Sequence, residues 1–363
     1  MRERSNGTQQ RRQHLDTRTK GVPQILPEQV RTGSQVEPSL FLPVMASSPM
    51  ASSRRRVSAR CTASPTSNLV FAVATVTRKP HKFDKWIAYY KSLGAARLFI
   101  CVEETPEAVA ICEQWPDFVS IRHSNAQANP YETIIDRQEV HVNWSLGECE
   151  RLGIEWLVHC DDDELLFLGA PFAEIAAQCP EDVSCIMIEN IEGVPRDESS
   201  DFTSINTFCT DDDGFLAYVN GKSAGRVGHC SAHGCHRFTG AEWTPAKEDM
   251  CILHFESCPY TRWHDKFGHY ARKTKPTRHT NVPFEFYVDS ITAFREAEMS
   301  TDGADEVAAR LRAFWHRRKR RHYSRFAERW DPLAPLARRH SQLAAPSCPL
   351  TPLTHALRAA SRH

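Results

Sequence analysis

Between residues 69 and 190 the apolar positions fall alternately into short continuous runs and into helical periods. "NLVFAVATV" is an apolar run bounded by polar residues, the pattern of a strand buried on both faces of a parallel sheet. In "HKFDKWIAYYKSLG", Phe83, Trp86, Ile87, Tyr90 and Leu93 recur at helical spacing, which predicts a helix that Gly94 closes with a left-handed cap. "ARLFICV" predicts a second strand, "PEAVAICEQW" a second helix with Pro106 in its first turn, and "FVSIR" a third strand. A longer helix is expected from Tyr131 to Leu152, stopped by Gly153, and "IEWLVHC" is the strand after it. Such alternation predicts an α/β fold, an open and mostly parallel sheet flanked by helices. Beyond residue 190 the pattern loosens into segments rich in Gly, Asp, His and Cys, before a basic helical stretch expected from Asp305 to Trp330. No internal repeat is visible.

These patterns divide the chain into four parts: a disordered or targeting segment at 1–67, a folded domain at 68–290, a basic helical extension at 291–330 and a disordered tail at 331–363. The first segment is polar, and from Pro38 to Asn68 it has Ser and Arg but no acids, so a transit peptide and plain disorder both remain open. Met45 and Met50 are candidates for the start of translation. No stretch reaches the ~20 apolar residues that span a bilayer.

Charge and cysteine change the picture little. The 45 Lys and Arg balance the 45 Asp and Glu, which argues against nucleic acid as a partner despite the run Arg317-Arg318-Lys319-Arg320-Arg321. The 13 cysteines are scattered with no CxxC pair, so neither a zinc ribbon nor a small disulfide scaffold is indicated.

The sharpest chemistry lies in "EWLVHCDDDELLFL", where an apolar strand runs into Asp161-Asp162-Asp163-Glu164 and apolar residues then resume. Ligands of open α/β sheets bind beyond the carboxyl ends of the strands. Asp161 and Asp163, two apart, point to one side of extended backbone, where a hard cation such as Mg²⁺ or Mn²⁺ relieves their repulsion and keeps positions for diphosphate oxygens. The bland counterpart is a solvated acidic turn.

A Trp-led strand ending in D-x-D-E resembles the nucleotide-sugar site of GT-A-type glycosyltransferases, most closely family 92 and related family 2-like enzymes. "DKWIAYYKSLGAARLFICVEETPE", "IIDRQEVHVNWSLGECERLGIEWLVHCDDDELL", "VNGKSAGRVGHCSAHGCHRF" and "CILHFES" are similar to their successive segments, over roughly residues 69 to 275. The resemblance implies a metal-dependent transfer of sugar from a nucleotide-sugar donor to a glycan or other hydroxyl acceptor. It suggests the Golgi or another secretory compartment, with membrane association left open. It implies Asp163 as metal ligand and Asp161 as nucleotide or metal contact, with Glu164 orienting them or capping a helix. A further ligand is expected from His236 or His254, with His233 also a candidate. Lys222 and Arg226, in a loop containing Gly221 and Gly225, are expected to neutralise the leaving diphosphate, and Arg137 to reach the nucleotide. The base that an inverting enzyme needs is sought first at Glu192, then at Glu242 and Asp249. The competing reading is a non-catalytic metal-binding module that uses His229, Cys230, His233, Cys235 and His236.

Overall fold

The computed structural model describes residues 70–124, 133–273 and 284–321. The expected tails, 1–67 and 331–363, lie outside these residues, as does the part of the expected basic helix beyond 321.

The first half follows the apolar pattern. Strand β1 (Phe71–Thr77), helix α1 (Phe83–Ser92), β2 (Leu98–Glu103), α2 (Pro106–Cys112), β3 (Val119–Ser124), α3 (Ile134–Leu152) and β4 (Trp156–His159) alternate as expected. All seven residues of β1 are buried, and α1 buries Phe83, Trp86, Ile87, Tyr89 and Tyr90 against the sheet. Gly94 (φ 89°) and Gly153 (φ 71°) follow their helices in the left-handed conformation that a side chain disfavours.

After β4 the chain crosses from one sheet to another. Strand β5 (Glu164–Leu168) leaves the acidic run, followed by α4 (Phe172–Ala176), β6 (Cys185–Ile188), β7 (Asn190–Gly193), β8 (Phe208–Cys209), β9 (Lys222–Arg226), β10 (Ala232–His233), β11 (Arg237–Phe238), β12 (Glu242–Trp243) and β13 (Met250–His254). The larger sheet has seven strands in the order β12-β6-β9-β4-β1-β2-β3, parallel throughout except for β9, which runs antiparallel to both β4 and β6. The smaller sheet is β5-β13-β7-β8. Asp161, Asp162 and Asp163 therefore form the link between β4 in one sheet and β5 in the other, and the Glu164 N–H donates back to the Asp161 carbonyl at 3.2 Å.

Several strands after residue 190 are only two to five residues long, too short for alternation to show in the sequence. "VNGKSAGR" is a case in point. The expected pliable loop is instead largely strand β9, whose small residues Ser223, Ala224 and Gly225 are buried between β4 and β6. A Cβ on Gly225 would stand 2.6 Å from the Phe238 ring, so this glycine admits the β10–β11 hairpin and provides no hinge.

Helices α5 (Tyr260–Lys273), α6 (Glu285–Met299) and α7 (Ala304–Trp315, continuing as a π turn through Arg321) share a second core of Trp263, Phe267, Phe286, Ile291, Phe294, Leu311 and Trp315. Helix α6 runs across residue 290, where the sequence pattern places a domain boundary. The basic run is built into this layer: Lys319 is fully buried, and Arg318 pairs with Glu285 (3.2 Å) and Asp289 (2.7 Å).

Candidate active site

The carboxyl ends of β1, β2 and β4 deliver Thr77, Glu103 and the three aspartates to one cleft. Arg137 and Gln138 from the first turns of α3, Arg262, Asp265, Lys266 and Tyr270 from α5, and Tyr287 from α6 complete its walls. This is the edge where open α/β sheets bind ligands.

The three aspartates diverge. Asp161 accepts from Lys222 Nζ at 2.7 Å and from Gln138 Nε2 at 2.6 Å. Burial alone would raise its pKa, but the Lys222 ammonium and the neighbouring His159 hold it well below the usual carboxylate range. Asp162 turns the other way, accepting from the Thr77 hydroxyl and the Arg262 guanidinium, and burial pushes it up in spite of Arg262. Asp163 faces His254 and Glu256: one ligand atom from each of the three lies within 4.8 Å of the other two. Glu164 is fully buried with Oε2 receiving the Asp161 N–H at 2.7 Å, and burial pushes its carboxyl up to about 8.

His254 is fixed by sheet register. It sits opposite Glu164 of β5 and Glu192 of β7, so these three side chains share one face of the smaller sheet. Its Nδ1 faces Glu192 at 3.6 Å and its Nε2 faces Glu256 at 3.7 Å. Tyr218 stacks on the imidazole at 4.8 Å between ring centroids. Burial would lower its pKa, but Glu192, Asp163 and Glu164 carry it up to about 9.

Of the expected residues, the cleft brings together Asp161, Asp163, His236, His254 and Arg137. Arg137 is pinned to Glu103 by two bonds, 2.6 and 3.0 Å. His236 lines the cleft with Nδ1 2.6 Å from the Gly221 carbonyl, and burial takes its pKa down to about 3. Lys222 is placed beneath the cleft: it is fully buried, and its ammonium meets Asp161 and the Cys235 carbonyl. Arg226 stands at the other end of β9, over the Trp156 ring and bonded to the Val183 carbonyl, remote from the aspartates. Glu192 has no exposure, and both its oxygens accept backbone N–H groups, from Leu216 at 2.9 Å and Ala217 at 3.1 Å. A proton acceptor needs access to substrate, so its place is behind His254. Glu242 lies at the surface against Arg237, and Asp249, half-buried just before β13, does not line the cleft.

The Cys/His module does not assemble. His233 is exposed on the hairpin, His236 faces the cleft, and Cys230 packs toward Gly225. Among the described residues only Asp163, His254 and Glu256 group as metal ligands.

Glu256, Arg262, Lys266 and Tyr287 lie outside the expected set. Two features of the sequence mark three of them: Glu256 comes two residues after His254, in the turn that follows β13, and Arg262, Lys266 and Tyr270 recur every four residues along one face of α5.

Fold and site define an open α/β protein with a carboxylate–imidazole group in a cation-lined cleft at the carboxyl edge of its main sheet. No family model matches the chain. It is similar to two glycosyltransferase-like proteins of Arabidopsis thaliana, 23% identical to each over an alignment of 248 residues that covers 53% of this chain. The aligned region spans about half of those relatives, 48% of one and 54% of the other. Among solved structures, Staphylococcus aureus TarS aligns at 11% identity and a TM-score of 0.29, over 71% of this chain and 49% of its own. Yersinia pseudotuberculosis HddC complexed with GMP-PN aligns at 9% and 0.28, over 55% and 100%. The fold is defined by the strand order and register of the two sheets.

Proposed function

We propose that the chain is a glycosyltransferase of GT-A type that moves a sugar from a nucleotide-sugar donor to a hydroxyl acceptor, with Mn²⁺ or Mg²⁺ held by Asp163, His254 and Glu256. The observation that carries this reading is the convergence of those three ligand atoms within 4.8 Å at the end of the acidic run. The donor set fits such an ion: two carboxylates and one imidazole suit Mn²⁺, and Glu192 behind Nδ1 is the outer partner that fixes a ligating ring. Similarity to glycosyltransferase-like proteins supports the reaction class.

When bound, the cation would neutralise charge on the donor diphosphate. The chain's own residues supply the rest. Lys222 and Gln138 hold the Asp161 carboxylate in one orientation, ready to accept from a nucleotide hydroxyl. Arg262, fixed by Asp162 and by the Arg78 carbonyl, sets a rigid positive wall where charge grows on the leaving group. Asp265 is the exposed cleft carboxylate with no hydrogen bond or ion pair among the described residues, which suits it to take the acceptor proton. Among the described residues no helix is long and apolar enough to cross a membrane, and a Golgi location rests on the family resemblance alone.

The test is a panel of sugar nucleotides with Mn²⁺, scored by nucleotide release. One donor should turn over in wild type, and Asp163→Asn should weaken UDP or GDP binding in Mn²⁺ at least tenfold, ~1.4 kcal/mol. Nucleotide binding that ignores both chelator and this substitution would remove the cation from the reaction.

A further inference from the structure

Lys266 stands where a second cation would have to go. Its ammonium lies 3.2 Å from each oxygen of Glu256 and 3.9 Å from Asp163, two of the three carboxylate and imidazole groups of the candidate metal site. It also donates to the Tyr287 hydroxyl at 2.8 Å, which in turn donates to Glu256. The ammonium is thus held by the same negative charge that would hold a divalent ion.

Two cations at such distances repel each other. A Mg²⁺-sized ion binds carboxylate oxygens at roughly 2.1 Å, which would put it within a few ångströms of Nζ, in a partly buried setting where water screens poorly. We propose that Lys266 fills the cation position in the metal-free protein and is expelled from it when the metal binds. The inference rests on the metal reading of the proposed function and adds a consequence to it. Lys266 shares the cleft-facing stripe of α5 with Arg262 and Tyr270, and its side chain keeps 18% exposure. On a flexible four-carbon stem the displaced ammonium can swing into the cleft that it lines, where the donor diphosphate is to bind. Metal loading would then deliver a second positive group to the phosphates, so cation and diphosphate would bind cooperatively.

The experiment is Mn²⁺ binding without nucleotide, followed through the electron paramagnetic resonance of the free ion, for wild type, Lys266→Met and Asp163→Asn. Lys266→Met should bind Mn²⁺ at least tenfold more tightly than wild type, and Asp163→Asn should lose it. Equal or weaker binding by Lys266→Met, with binding still lost in Asp163→Asn, overturns the competition and leaves the metal site standing. No Mn²⁺ binding by wild type or Lys266→Met, or none that depends on Asp163, overturns both. Because the Met variant leaves Glu256 without its cation and could fail to fold, wild type offers a second measurement. The rate at which Lys266 is reductively methylated, read by mass spectrometry of its peptide, should rise several-fold on Mg²⁺ saturation. An unchanged or lower rate overturns the proposal.

Discussion

Lys222 shows how burial decides what a charged residue can do. It has no exposed surface, and its ammonium lies 2.7 Å from Asp161 and 3.9 Å from Glu164. Burial works against its charge, but the two carboxylates overcome it and hold its pKa well above the ordinary value. Its role is then to orient Asp161, and its loss should appear first as instability. Removing one partner of a buried ion pair typically costs ~3–5 kcal/mol. Lys222→Met should lower the unfolding free energy by that order in urea titrations, whereas a change below ~1 kcal/mol would mean that the pair is not buried in solution. Asp265, exposed and free of ion pairs among the described residues, should behave in the opposite way. Asp265→Asn should keep its melting temperature and its UDP affinity while kcat falls by roughly 10²–10⁴, the range of general-base loss. Retention of kcat would shift the proton acceptor elsewhere.

Helix α3 is tied to the sheet by a polar bond within an apolar interface. His141, almost wholly buried, faces the Phe99 carbonyl of β2 with Nε2 at 3.0 Å, and its ring packs against Trp144. Burial takes its pKa down to about 4, so the folded state keeps the imidazole neutral where the unfolded chain, at about 6.5, binds a proton. Unfolding therefore takes up a proton between these values, and stability falls as pH drops from 6.5 to 4. His141→Gln keeps a donor but does not titrate, so it should flatten the slope of unfolding free energy against pH in that window, measured by urea melts at fixed ionic strength. An unchanged slope would assign the acid sensitivity to other groups.

The helical layer of α5, α6 and α7 makes one wall of the cleft dependent on the far end of the described chain. Trp315 is fully buried against Tyr260 and donates from its indole N–H to the Ser257 carbonyl at 3.1 Å, next to Glu256. Its loss should open a cavity between α7 and α5, the helix that carries Arg262, Asp265 and Lys266. Trp315→Ala should cost ~3–5 kcal/mol in unfolding free energy. It should also weaken UDP binding in Mn²⁺ at temperatures where the sheet, followed by circular dichroism, is still folded. Binding and global unfolding that are lost together would show the layer and the sheets to be one cooperative unit.

Sequence alone determined the first half of the fold and the location of the acids. From β1 to α3 each element has six residues or more, enough for its apolar pattern to be written in consecutive residues; the short β4 lies inside the apolar run "IEWLVHC", and the acids interrupt an otherwise apolar stretch. Tertiary structure decided the rest. Strands of two to five residues carry no period, so neither the second sheet nor β9 could be read from the pattern. The pairing that places Glu164, His254 and Glu192 in one row joins His254 to residues 90 and 62 positions away, and only a sheet register can do that. Burial, too, follows from packing: it took Lys222 and Glu192 out of reach of any ligand, while the fold of α5 against the aspartates brought Lys266 and Arg262 into reach.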